Sequence, residues 1–171
     1  MGSAFVGEDG DDSGVDAIMA ERVIKALCLL DQTDAPIIII MNNPGGDWYH
    51  GMAIYDAIKA CKSHVTIKVL GMAMSMGAVI LQAADTRVMS PNARFMMHYG
   101  TMGMFPTHSK IFDKWSEENK RLNSEMEQIF LKKIREVKPN FSLDDLKKLL
   151  DYDTIFTSQE TVNMGLADEV V

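Results

Sequence analysis

The chain has 171 residues, a hydrophobic fraction of 47% and a formal net charge of −7. The length suits one domain with a substantial core. The acidic balance argues against a general nucleic-acid binder, which needs clustered Lys and Arg, and no apolar run approaches the ~20 residues that span a bilayer.

Taken in order, residues 7–16 are acidic and Gly-rich and read as a mobile loop, with Ser13 or Asp16 placed to cap the next element. Ile18, Met19, Val23, Ile24, Leu27 and Leu30 recur at helical spacing, predicting an amphipathic helix over 17–30. A turn at 31–35 leads to Pro36 and four consecutive isoleucines, the pattern of a strand buried on both faces in a parallel sheet. Asn42-Asn43-Pro44-Gly45-Gly46 breaks that strand. A helix over 52–60 and a β-branched strand over 65–70 come next. Cys28 and Cys61 fall in helix-like apolar surroundings without metal-ligand spacing, and read as buried free thiols. So few cysteines, with no charged and then apolar leader pattern, predict a reducing, cytoplasmic setting.

Residues 71–78, Gly-Met-Ala-Met-Ser-Met-Gly-Ala, then join the strand to an apolar segment over 79–84. Short strands are expected at 86–90 and 94–98, the second closed by His98. After a Gly- and Pro-containing loop at 100–107, the period changes. Ile111, Trp115, Leu122, Met126, Ile129, Ile134 and Val137 mark one helix over 109–137, long enough to project and pack against another subunit, although periodicity alone equally allows it to lie across its own sheet. A helix over 142–150, a strand at 154–156, a helix at 158–164 and a last strand at 167–171 complete the chain. Strands alternating with helices in this way predict a predominantly parallel α/β sheet in a single domain over 1–171, with a partly flexible N-terminus at 1–16.

The chemistry gathers around Ser75. Small neighbours two positions away, Ala73 and Gly77, fit a sharp strand-to-helix turn that exposes a hydroxyl at its apex. The free N–H groups at the helix start favour developing negative charge there. An ordinary N-cap serine is the plainer alternative. A hydroxyl needs a base, a group that orients the base, and donors for the oxyanion. His98 at a strand end suits the base, although a lone histidine there is more often structural. The Gly45–Gly46 loop suits the donors, although such loops also merely connect strand to helix. Asp85, Asp151, Asp153 and Asp168 all qualify as the orienting carboxylate, and residue chemistry does not choose among them. The sequence calls for no metal or cofactor. Most of the 14 methionines read as core filler.

Four motifs in register carry a resemblance over about residue 17 to the C-terminus. Asn-Pro-Gly-Gly (43–46), Gly-Met-Ala-Met-Ser-Met-Gly-Ala (71–78), Pro-Asn-Ala-Arg-Phe-Met-Met-His (91–98) and Asp-Thr-Ile-Phe-Thr-Ser-Gln-Glu-Thr-Val-Asn-Met-Gly-Leu-Ala-Asp (153–168) are similar to those of the proteolytic subunit of the Clp protease, a ClpP-like serine peptidase. The resemblance implies an α/β crotonase-like fold, a spiral of ββα units, with the region 100–138 as a projecting "handle". It implies Ser75 as nucleophile, His98 as base and Asp153 as the orienting carboxylate, with the backbone N–H groups of Gly46 and Met76 as the oxyanion hole. It further implies a peptide or unfolded-protein substrate, self-association into heptamer-type rings stacked in pairs, and an AAA+ ATPase unfoldase as partner. The chain departs from the family pattern in starting later, in lacking aromatic residues in the strand 37–40, and in carrying Tyr152 where an arginine often precedes the catalytic aspartate. Two other readings share the fold: an acyl-CoA enzyme, against which Ser75 and His98 argue, and a catalytically silent ring subunit.

Overall fold

The computed structural model describes residues 14–33, 35–100 and 109–171. Residues 7–13 of the expected acidic loop, with Ser13, and nearly all of the expected loop at 100–107 lie outside the described residues.

The chain runs α1 (Ala17–Leu30), β1 (Ile37–Asn43), α2 (Trp48–Ala60), β2 (Val65–Met74), α3 (Met76–Leu81), β3 (Thr86–Met89), β4 (Arg94–Met97), α4 (Ser109–Val137), α5 (Leu143–Leu150), β5 (Thr154–Thr157), α6 (Ser158–Asn163) and β6 (Glu169–Val170). Local chemistry sets the helix starts. Asp16 accepts from the Met19 N–H at 2.7 Å at the head of α1, and Asp47 accepts from the His50 N–H at 2.9 Å at the head of α2. Ser142 caps α5 in the same way, and Thr157 with Glu160 forms a reciprocal capping box at α6.

β2 is the spine of the sheet. β1 runs parallel along it from Ile37 opposite Val65 to Asn43 opposite Ala73. β3 pairs with its first half, Thr66 to Val69, and β4 with its last residues, Met72 to Met74. Because β1 occupies one edge of β2 throughout, β3 and β4 share the other edge in succession. β6 continues parallel beyond β3, whereas β5 runs antiparallel to β4. The mixed α/β architecture agrees with the expected crotonase-like spiral, and the sheet is predominantly parallel, as the alternation of strands and helices predicts.

The core lies between the sheet and the helices. Ile67, Val69, Ala73, Leu81, Met89 and Phe95 are fully enclosed, and Phe95 meets Phe130 of α4 edge-on at 6.2 Å between ring centroids. The isoleucine run of β1 corrects one expectation: it is not buried on both faces. Ile37 and Met41 are buried while Ile38 and Ile40 are exposed, so one face of the strand packs on the core and the other is uncovered within this chain. Neither cysteine is buried as expected: Cys28 is exposed on α1 and Cys61 half-buried at the end of α2.

The long helix divides in two. Its buried residues, Met126, Glu127, Phe130, Leu131 and Ile134, all lie in the C-terminal half, while Ile111, Phe112 and Trp115 at the other end are exposed. Buried Glu127 receives the Tyr99 hydroxyl at 2.5 Å, and burial together with that carboxylate pushes the Tyr99 phenol upward. Tyr99→Phe leaves the carboxylate without this donor. The expected cost is about 1–2 kcal/mol, read as a lower unfolding midpoint in urea.

Candidate active site

The parallel pairing of β2 and β4 brings Ser75 and His98 together. Ser75 follows β2 and His98 follows β4; Met74 lies opposite Met96, and the Ser75 N–H donates to the Met96 carbonyl at 2.9 Å. The antiparallel register of β4 and β5 sets Met97 opposite Thr154, so the next residue outward on each strand, His98 and Asp153, face each other. The His98 Nε2 lies 3.0 Å from the Ser75 Oγ, and its Nδ1 lies 2.9 Å from the Asp153 Oδ1. A carboxylate beside Nδ1 favours the tautomer that carries its proton there, which leaves Nε2 as the acceptor facing the serine hydroxyl.

The other aspartates sit elsewhere. Asp85 accepts from the Val65 N–H at 2.8 Å. Asp151 is the C-cap residue of α5, where its backbone N–H donates to the Lys147 carbonyl at 3.0 Å. Asp168 binds Arg87 through both carboxylate oxygens, at 2.5 Å to Nη2 and 3.2 Å to Nε. Among the four candidates only Asp153 reaches His98. Its side chain is 69% exposed and that of His98 23% exposed, so the site is open on the carboxylate side.

Ser75 sits at φ 50° and ψ −121°, and among the described residues it is the only non-glycine with positive φ. This backbone is strained for an L-residue, and such strain collects at functional turns. The hydroxyl makes no cap bond to α3, so the plainer N-cap reading does not hold. The turn is as crowded as the small residues predict: Ala73 is fully buried, and a side chain at Gly77 would meet the Asn43 Oδ1 at 2.9 Å.

The loop after β1 packs against this turn. A Cβ on Gly45 would lie 2.6 Å from the Ser75 Cβ and 3.1 Å from its Oγ. Gly45 and Gly46 adopt φ 115° and 138°, values that essentially require glycine. The Asn43 Oδ1 accepts from the Gly45 N–H at 2.8 Å. Met76 opens α3, so its N–H has no intrahelical acceptor. The geometry thus gathers a hydroxyl, an imidazole, a carboxylate and two glycines at the ends of four strands.

Asn43 and Val15 carry roles that residue-by-residue reasoning does not find. Asn43 appears in sequence as part of a breaker cluster and of the Asn-Pro-Gly-Gly motif, neither of which gives its side chain a role, and its signal is the crowded Gly77. Val15 falls inside the expected mobile loop, yet it is buried and bridged to Gly46.

A family model described as Clp protease matches residues 12–171. The chain belongs to the Clp protease family. Among curated relatives, the "ATP-dependent Clp protease proteolytic subunit" of Deinococcus radiodurans is 32% identical over 161 residues, covering 92% of this chain and 76% of the relative. The "ATP-dependent Clp protease proteolytic subunit 1" of Protochlamydia amoebophila is 32% identical over 162 residues, with the same coverage. Among the described residues no helix is long and apolar enough to cross a membrane.

Proposed function

We propose that the chain is a serine endopeptidase of the Clp protease family that cleaves peptides and unfolded proteins through an acyl-enzyme. The observation that carries this reading is the unbroken relay from the Ser75 Oγ through His98 to Asp153, at 3.0 and 2.9 Å. His98 Nε2 takes the hydroxyl proton as Oγ attacks the scissile carbonyl carbon. The N–H groups of Gly46 and Met76 receive the resulting oxyanion, each worth about 3–4 kcal/mol of the barrier. The imidazolium, held by Asp153, then passes its proton to the leaving amine. Water releases the acyl group by the same steps in reverse. The relay supports this reading over a catalytically silent subunit, and a reactive hydroxyl at a helix start supports it over acyl-CoA chemistry.

Assembly into heptamer-type rings belongs to the same proposal. Two exposed apolar surfaces support it: Ile38, Ile40 and Leu70 on the sheet, and Ile111, Phe112 and Trp115 on the first half of α4, which would be the handle between stacked rings. Action with an AAA+ ATPase is proposed from the names of the relatives, which describe them as ATP-dependent, and a cytoplasmic setting from the low cysteine content.

Steady-state cleavage of a fluorogenic peptide tests the reading. Asp153→Asn is expected to lower kcat by about 10²-fold, less than the ~10⁴ seen where such a carboxylate is buried, because solvent partly replaces an exposed one. An unchanged kcat would remove Asp153 from the mechanism.

A further inference from the structure

We infer that the Gly14–Val15 segment is a backbone strap that fixes the orientation of the Gly45–Gly46 peptide, making Val15 a positioning residue for the oxyanion hole. The inference rests on the proposed peptidase reading and extends it to a part of the chain that touches no reacting atom.

The Val15 N–H donates to the Gly45 carbonyl at 2.6 Å, and the Val15 carbonyl accepts from the Asp47 N–H at 2.8 Å. These two bonds straddle Gly46, and Val15 itself is 2% exposed. The contact is close on every side. A Cβ on Gly14 would lie 2.3 Å from the Gly45 carbonyl oxygen, and one on Gly46 would lie 2.3 Å from the Val15 nitrogen.

Peptide geometry gives these bonds their consequence. The Gly45 carbonyl and the Gly46 N–H belong to one trans peptide and point in opposite directions. Holding the carbonyl on Val15 therefore fixes where the Gly46 N–H points. Rotating that peptide changes only ψ of Gly45 and φ of Gly46, both glycine torsions, for which the alternative values are open. The Gly-Gly pair that allows a close approach to substrate also leaves this peptide free to flip. A flip would turn the carbonyl oxygen towards the place the oxyanion must occupy. Among the described residues, the Val15 N–H is the group that holds the carbonyl in place. The second bond, to Asp47, ties the strap to the cap of α2 and keeps it in register.

Val15→Pro deletes the donor and keeps an apolar side chain, while Val15→Ala keeps the donor and trims the side chain. Crystal structures of both variants, with steady-state kinetics on the fluorogenic peptide, test the strap. In V15P the Gly45 carbonyl is expected to turn away from residue 15. The kcat should fall by about 10²-fold, as for loss of one oxyanion donor, and at least ~10-fold further than in V15A, with KM within about threefold. Gly14→Ala is the second variant: it retains every donor but drives a methyl group at the Gly45 oxygen, and should lower kcat in the same direction. An unmoved Gly45 carbonyl in V15P, or equal kcat losses in V15P and V15A, would overturn the strap. If V15P does not fold, G14A decides, and an unmoved loop with unchanged kcat there overturns it as well. A wild-type chain inert towards peptide would refute the peptidase reading instead, and the carbonyl orientation in the variants would still decide the strap.

Discussion

Ser75→Ala is expected to abolish peptide cleavage, lowering kcat by at least ~10⁴-fold, because a triad works as a unit and little beyond oxyanion binding remains without its nucleophile. The same position has an expected effect on stability. Ser75 is held at φ 50° and ψ −121°, a conformation that costs a non-glycine residue about 1–3 kcal/mol. Alanine inherits that strain and glycine does not. Ser75→Gly should therefore be inactive yet more stable than Ser75→Ala by about 1 kcal/mol, read from urea unfolding of the two variants. Equal stabilities would mean that the turn is not strained. Retained cleavage in either variant would remove Ser75 as the nucleophile.

Arg87→Met is expected to cost about 3 kcal/mol of folding stability. The Arg87 side chain is 5% exposed. Its guanidinium binds Asp168, the Gln82 Oε1 at 2.7 Å and the Gly165 carbonyl at 2.9 Å, tying β3 to the end of α3 and to the C-terminal segment. Removing it takes the guanidinium donors from the Gln82 Oε1, the Gly165 carbonyl and Asp168, although the backbone N–H of residue 87 still donates to the Asp168 Oδ2 at 2.6 Å. Asp168 keeps 38% of its side chain exposed, so water compensates in part, and the lower end of the range for broken buried pairs applies. Burial alone would push the Asp168 carboxyl up, but its hydrogen bonds and charge contact with Arg87 outweigh burial and hold it below the usual carboxylate range. A group depressed in the folded state contributes its stability above its unfolded value, about 4, and loses it as pH falls through the folded value. The gap between wild type and R87M should thus be full at neutral pH and narrow below about pH 4. Urea titrations at both pH values check this; a gap independent of pH would assign the loss to packing alone.

The sequence reveals much of this architecture, for local reasons. Helix limits at 17–30 and 109–137 can be read from apolar spacing, and α1 and α4 occupy those residues. The start of α2 lies four residues earlier than spacing alone suggests, because Asp47 caps it ahead of the first clearly periodic residue. β2 runs on to Met74, past Gly71, which looks like a strand end. Glycine leaves room there for the Asn42 side chain, whose Oδ1 would lie 2.4 Å from a Cβ; it marks a close approach and not a break.

The candidate site divides in the same way. Ser75, His98 and Gly45–Gly46 are legible because each sits at the end of a strand whose own residues announce it. The aspartate is not legible from residue chemistry, since what selects Asp153 is the β4–β5 register that sets Met97 opposite Thr154. The family resemblance supplies that residue, and its 2.9 Å approach to the His98 Nδ1 agrees with it. Val15 stays hidden because a single bridged residue in an acidic, Gly-rich run leaves no periodic trace. The exposed face of β1 is easily misread because an isoleucine run states that apolar cover is wanted, and not which chain provides it.

A nucleophilic Ser75 activated by His98 should react with a fluorophosphonate probe, and mass spectrometry locates the adduct on wild type and on His98→Ala. An adduct on Ser75 is expected in the wild type and is expected to be lost when His98 is removed. An adduct on another residue, labelling of Ser75 unaffected by the loss of His98, or no labelling of the folded wild-type protein would contradict that role.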